Sequence, residues 1–319
     1  MREVQYCKIM TVGASELNKI RFAANKDTNY VFHMLSTAKC GYDNEYSKKY
    51  CDIYPPEDLS VIKRNEDLLT VCGGQHCGVL FGLMVSQPAC AYVSAKEYYN
   101  GIIQLGNEIL NGNIPDNIEK SYIPYTEIII EISEIMVKHY DYYTENIWKH
   151  EKEKIEQYIP KLFDLFENSL FTEKAENLIG SLKSDYFTAT LVTSVAGGAE
   201  AIDISDDQDV FGIERTYTDA FYFIGHEFII YLLMKILSHV NAFNSFETWD
   251  LTEGLAEYYL KKIMGDTRFF NEQKRYVKFY DELSNHRSLS ASELYKAALE
   301  QFIYNTNFNL KVDKRNSHF

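Results

Sequence analysis

The chain has 319 residues, 46% of them hydrophobic, and a formal net charge of −14. That length and apolar share can bury one large or two modest cores. The acidic balance, without a Lys/Arg cluster, argues against a nucleic-acid partner. No uncharged run reaches the roughly 18 apolar residues of a membrane span. The first residues, Met1 to Tyr6, lack the apolar stretch of a signal peptide. The expectation is therefore a soluble, cytoplasmic protein with no membrane partner.

All six cysteines, Cys7, Cys40, Cys51, Cys72, Cys77 and Cys90, fall in the first 90 residues. In a cytosolic chain they read as reduced, partly buried thiols. Cys72 and Cys77 flank Gly73-Gly74-Gln75-His76. That spacing is looser than a zinc knuckle and no second knuckle follows, so neither structural zinc nor a Cys-His dyad is favoured.

In chain order, residues 29–38 read as a short helix burying Val31, Phe32, Met34 and Leu35, with His33 at the core edge. Pro55-Pro56-Glu57-Asp58 opens a helix running to about Thr70, because proline and acids suit a first turn. Residues 79–85 are apolar and expected to be buried. Ser94 with Glu97 makes a capping box for a helix that ends at Gly112. Residues 123–168 read as long helices. Their charged run, Lys149 to Lys154, reads as a solvated face, and Pro160 as a kink or boundary. From Tyr186 the pattern turns β-branched and aromatic, giving strands at 186–195, 199–204 and 210–213. Thr218 is expected to cap the following helix, 221–237, which is almost wholly apolar. Further helices are expected at 249–263, 268–283 and 291–304, the last opened by the S-x-x-E phrase of Ser290 to Glu293.

Two phrases carry chemistry: Gly225-His226-Glu227-Phe228-Ile229-Ile230, and Glu253-Gly254-Leu255-Ala256-Glu257. On a helix, residues four apart share a face, so H-E-x-x-H presents two imidazoles to one metal. Together the two phrases resemble the active-site helices of a gluzincin-type zinc metallopeptidase (the HExxH…EGLA pattern of thermolysin-like and aminopeptidase-like enzymes). The resemblance covers roughly residues 185–265. It implies His226 and Glu253 as zinc ligands, Glu227 as the general base that activates water, and Glu257 as the acid that orients His226. The chain departs from the pattern at the second histidine position, which is Ile230. His239 lies 13 residues beyond His226, about 20 Å along a continuous helix, and cannot take its place.

The resemblance implies an α+β, mainly helical fold, with a zincin-like metallopeptidase domain at 170–319 and a helical N-terminal region at 1–169. In that arrangement an edge strand above the cleft pairs with peptide, which makes Val195, Gly197 and Gly198 expected groove residues. Tyr276, Tyr280 and His286 are expected candidates for stabilising an oxyanion. Two functions follow. One is a peptidase that hydrolyses peptide bonds with a zinc-activated water, if the degenerate site holds metal. The other is a catalytically inactive relative that binds a peptide or protein partner in the old cleft.

Overall fold

The computed structural model describes residues 16–17, 19–41, 45–72, 76–116, 118–181, 186–196, 201–238, 246–265, 274–284 and 289–304. Its centre is a five-stranded mixed sheet. Strands β1 (Glu16–Leu17) and β2 (Ile20–Ala23) precede a separate small hairpin, β3 (Val71–Cys72) with β4 (His76–Cys77); β5 (Phe187–Ala196), β6 (Ala201–Ser205) and β7 (Gln208–Glu214) complete the sheet in the order β1-β2-β5-β7-β6. The middle strands β2, β5 and β7 run parallel, and the two edges are antiparallel to them.

Helices cover both faces, and the alternation along β5 explains how. Phe187, Ala189 and Leu191 point into one apolar cluster, while Val192 points into another. A strand covered on both faces reads as a continuous apolar and β-branched run, as β5 does. The second cluster gathers α1 (Lys26–Thr37), α2 (Glu45–Tyr50), α3 (Pro56–Arg64), α4 (Glu66–Leu69), α5 (Gln87–Cys90), α6 (Ala95–Leu110) and α7 (Thr126–Asn146). The first gathers α8 (Trp148–Ser169), α9 (Phe171–Ile179), α10 (Tyr217–Leu237), α11 (Phe246–Met264), α12 (Lys274–Ser284) and α13 (Ala291–Tyr304) around β2 and β5. The chain is thus α+β and mainly helical. The expected boundary near residue 170 crosses this sheet, because Phe22 pairs with Ala189 and Asn29 Nδ2 donates to the Leu191 carbonyl at 3.0 Å. Helix α10 has the length and composition of a membrane span, yet 72% of its most apolar window is buried inside the protein.

Several expectations shift. The capping box at Ser94 is present, with the Glu97 carboxylate accepting from Ser94 N at 3.0 Å. Pro160 lies inside an unbroken α8 and marks no boundary. The helix expected from Asp58 to Thr70 breaks at Asn65 into α3 and α4. Residues 82–86 form a π-helical turn, and Val79 is 39% exposed. The cap of α10 is Thr216, whose hydroxyl accepts from Asp219 N at 3.1 Å, not Thr218.

Two buried polar groups also correct the sequence reading. His33 is not at the core edge but fully enclosed, with Nδ1 2.7 Å from the Tyr46 hydroxyl and Nε2 2.9 Å from that of Tyr54. Burial, with smaller contributions from His139 and Lys49, pushes its pKa down to about 3. Glu151, in the charged run, is fully buried rather than solvated. It accepts from the Tyr50 hydroxyl at 2.6 Å, with Lys154 Nζ 3.7 Å from its other oxygen. The side chains of Cys72, His76 and Cys77, and the whole of Cys7, lie outside the described residues; Cys40, Cys51 and Cys90 are free thiols.

Candidate functional site

Helix α10 is buried on most of its circumference, with Ile224, Phe228, Ile229, Leu232 and Leu233 at 0–1% exposure. Its depth is set by Gly225. A Cβ there would stand 2.8 Å from the Phe171 ring at the start of α9, so glycine is needed for the two helices to approach. The next residue, His226, is carried to the surface of α11, where Leu251, Leu255 and Ala256 face the core.

His226 sits between two carboxylates. Its Nε2 is 3.0 Å from Glu253 Oε2, and its Nδ1 is 3.0 Å from Glu257 Oε1. The first contact is an aligned hydrogen bond. The second is at ion-pair distance without hydrogen-bond alignment, and neither oxygen of Glu257 accepts an aligned bond. Glu257 is fully buried, whereas the Glu253 side chain is 21% exposed. Burial alone would lower the imidazole's pKa. The bonds to Glu253 and Glu257, with the charge of Glu227, outweigh it and hold His226 well above its ordinary value. His226 is therefore an imidazolium braced from both ends.

Glu227 points toward the sheet. One oxygen each of Asp203, Asp209 and Glu227 lie within 4.8 Å of one another. Asp203 and Asp209 are cross-strand partners of the β6–β7 hairpin, so their side chains share a face. Burial, opposed by His226 but reinforced by Glu253, Asp203 and Glu257, pushes the Glu227 carboxyl up to about 8. Asp209, buried beside Asp203 and Glu227, is likewise held well above the carboxylate range.

The two α10–α11 phrases thus meet in space: His226, Glu253 and Glu257 touch, and Glu227 adjoins them. Ile230 lies one turn beyond His226 on the same helix face, is 7% exposed and belongs to the apolar cluster. Zinc requires three protein donors in an open catalytic site. Here two converge, His226 Nε2 and Glu253 Oε2, and the one described grouping of three donors, Asp203, Asp209 and Glu227, excludes His226. These residues do not fit a three-ligand zinc centre.

The expected groove residues fare differently. Val195 is fully buried, at the far end of the central strand β5, so its side chain lines core rather than groove. Gly197 and Gly198 lie outside the described residues. The edge strand next to β7 is β6. Its outer side is partly covered, since the Ser86 hydroxyl donates to the Ile204 carbonyl. Tyr280 is fully buried and donates to the Leu251 carbonyl at 2.8 Å, which ties α12 to α11 and removes it as an oxyanion donor. The side chains of Tyr276 and His286 are outside the described residues.

Asp203 and Asp209 were not singled out from the sequence, because acids beside Asp206-Asp207 read as turn. A regular two-residue turn at 206–207 would pair Asp203 with Val210 and put the two acids on opposite faces; the register shift between Asp203 and Ser205 is what sets Asp203 opposite Asp209, and no sequence pattern announces it. No family model matches this sequence, and no curated protein or solved structure is significantly similar to it.

Proposed function

We propose that the cleft between α10, α11 and β6 is a gluzincin-type peptidase frame that binds a peptide or protein segment without a three-ligand zinc centre. The observation that carries this reading is the pair of contacts on one imidazole. Glu253 meets Nε2 and Glu257 meets Nδ1, both at 3.0 Å, which is the division of roles that the sequence resemblance implies for a ligand and an orienting acid. Ile230 supplies no donor where the second imidazole would stand, and its burial closes that position with apolar packing. In place of a metal, the positive charge of His226 compensates Glu253 and Glu257. The antiparallel edge strand β6 followed by β7 and α10 supports the same frame. Because Ser86 covers part of the β6 edge, the ligand lies mainly against α10 and α11, rather than adding a long strand to the sheet.

The test is metal content by plasma mass spectrometry, on protein purified without chelator, beside an Ile230→His variant. The expected result is no stoichiometric zinc in the parent and about one zinc in the variant, whose restored donor completes the frame. Stoichiometric zinc in the parent would overturn the metal-free reading and restore Glu227 as a general base. No zinc in either protein would sink the frame itself.

A further inference from the structure

On the face of the sheet opposite α10, helices α6 and α7 flank an apolar cleft. Gly106 lets them approach, since a Cβ there would stand 2.6 Å from the Ile130 side chain. Ile102, Leu105, Gly106 and Ile109 line the cleft from one face of α6, and Leu105 and Ile109 stay only half-buried. Leu83 from the π-helical turn, Ile118, and Tyr122 from a 3₁₀ turn at Lys120–Tyr125 add the other walls. The Leu83 and Met84 carbonyls accept from the Tyr98 and Tyr99 hydroxyls at 2.8 and 2.7 Å, which fixes the π-turn against α6. The room inside is about 20 Å³. A single water would fit, but a water needs two or more polar partners. The lining hydroxyls are engaged elsewhere, Thr126 with the Ile123 carbonyl and Tyr122 with Glu119. The space suits an apolar group.

We infer that this cleft docks a partner segment in which one leucine- or valine-sized side chain is flanked by lysine or arginine. Size selects the anchor: the cleft takes the branched end of an aliphatic side chain and has no room for an aromatic ring. Leu110, at the end of α6, and Ile114 beyond it are each more than half exposed and add apolar surface for the segment. Charge selects the flanks. Glu108, Asp116, Glu119 and Glu127 are exposed, and each lies within two residues of a lining residue. Among the described residues none of the four stands at ion-pair distance from a lysine or arginine. A fifth acid, Glu131, is taken by Arg64 at 2.7 Å, and Lys120 is the one base equally near in sequence. Four uncompensated acids beside an apolar hole repel acidic peptides and fatty acids, and attract a basic segment. The inference does not depend on the reading of the α10–α11 cleft, since it uses none of its residues.

The experiment is fluorescence anisotropy of labelled peptides titrated with the full chain at low salt. The probe is a leucine between two lysine triplets. Companion peptides carry alanine or tryptophan at the centre, or glutamate triplets around the leucine. The leucine probe should bind saturably and about tenfold tighter than the alanine peptide, the worth of two buried methyl groups. The tryptophan peptide should bind no better than alanine, and the glutamate peptide should not bind. Ile109→Phe fills the cleft and should abolish the preference for leucine over alanine. Glu108→Lys with Glu119→Lys should weaken the leucine probe about fivefold, an effect that shrinks with added salt. Glu173→Lys, on α9, should match the parent as a control for general charge. Because Glu108 and Glu119 are exposed, their variant keeps the test valid if Ile109→Phe fails to fold. Equal binding of the leucine and alanine peptides, tighter binding of tryptophan, or undiminished binding in the Glu108 and Glu119 variant would overturn the proposal. Self-association of the parent in sedimentation, lost in Ile109→Phe, would overturn it in favour of a second copy of the chain.

Discussion

His33 and His226 are both nearly closed to solvent, yet they are driven in opposite directions. His33 lies among tyrosine hydroxyls and falls to about 3, whereas His226 lies between carboxylates and rises well above its ordinary value. Burial alone lowers a histidine, so the difference is made by what the ring nitrogens meet. The buried glutamates show the same contrast. Glu151 is held by a tyrosine hydroxyl with lysines nearby, while Glu257 depends on His226. Around His33 and Glu151, buried polar groups meet tyrosine hydroxyls in several modest bonds. Among the described residues, the His226 region sets one cation against several acids.

That contrast can be broken most severely at His226. Replacing it with alanine leaves Glu257 fully buried beside Glu253 with no cation between them, and should cost about 3–5 kcal/mol in urea unfolding at neutral pH. A loss under about 1 kcal/mol would show that the acids are protonated without it. The sign with pH follows from the raised pKa. The stabilisation by His226 is full below about pH 6.5 and is lost as pH rises through the elevated folded value, so the penalty of His226→Ala should shrink at alkaline pH. His33 behaves inversely: its contribution is present above about pH 6.5 and is lost as pH falls toward about 3.

Tyr50→Phe should cost about 2 kcal/mol, since it removes the hydroxyl that donates to the buried carboxylate of Glu151. Glu227→Gln should work the other way. With the Glu227 carboxyl pushed up to about 8, the variant relieves the carboxylate crowding, and should stabilise chelator-treated protein by about 1 kcal/mol at pH 8. A destabilised Glu227→Gln would show that the carboxylate is satisfied there. The smallest effect is expected at the His33 cage, where Tyr54→Phe removes one of two ring partners and should cost about 1 kcal/mol by thermal unfolding.

The helices that carry the His226 cluster were legible because apolar spacing and the two motif phrases coincide on them. Strand β5 was legible because β-branched and aromatic residues dominate it. Other parts were hidden for physical reasons. Strands β1 and β2 have two and four residues, too few for a period to show, and β2 finds its partner β5 far along the chain. Glu151 is indistinguishable in sequence from the solvated charges around it, since nothing local signals that Tyr50 will cover it. Asp209 was concealed by three acidic or amide neighbours that suggest a turn. Thr216 and Thr218 compete for the same cap within one turn of helix, and only backbone geometry separates them.

The central strand β5 also dictates an order of events during synthesis. Phe22 must wait for Ala189, so β2 has no sheet neighbour on that side until more than 160 further residues have been made. Closing so long a loop costs little more in entropy than closing one half its length, but it cannot begin before both ends exist. At typical translation rates of roughly 5–20 residues per second, helices α1 to α7 spend on the order of ten seconds beside the ribosome with the wall of their core missing. Val192, Val195 and Val210, which complete that core, arrive last. The nascent N-terminal half is thus the part of this chain that most needs shielding from aggregation.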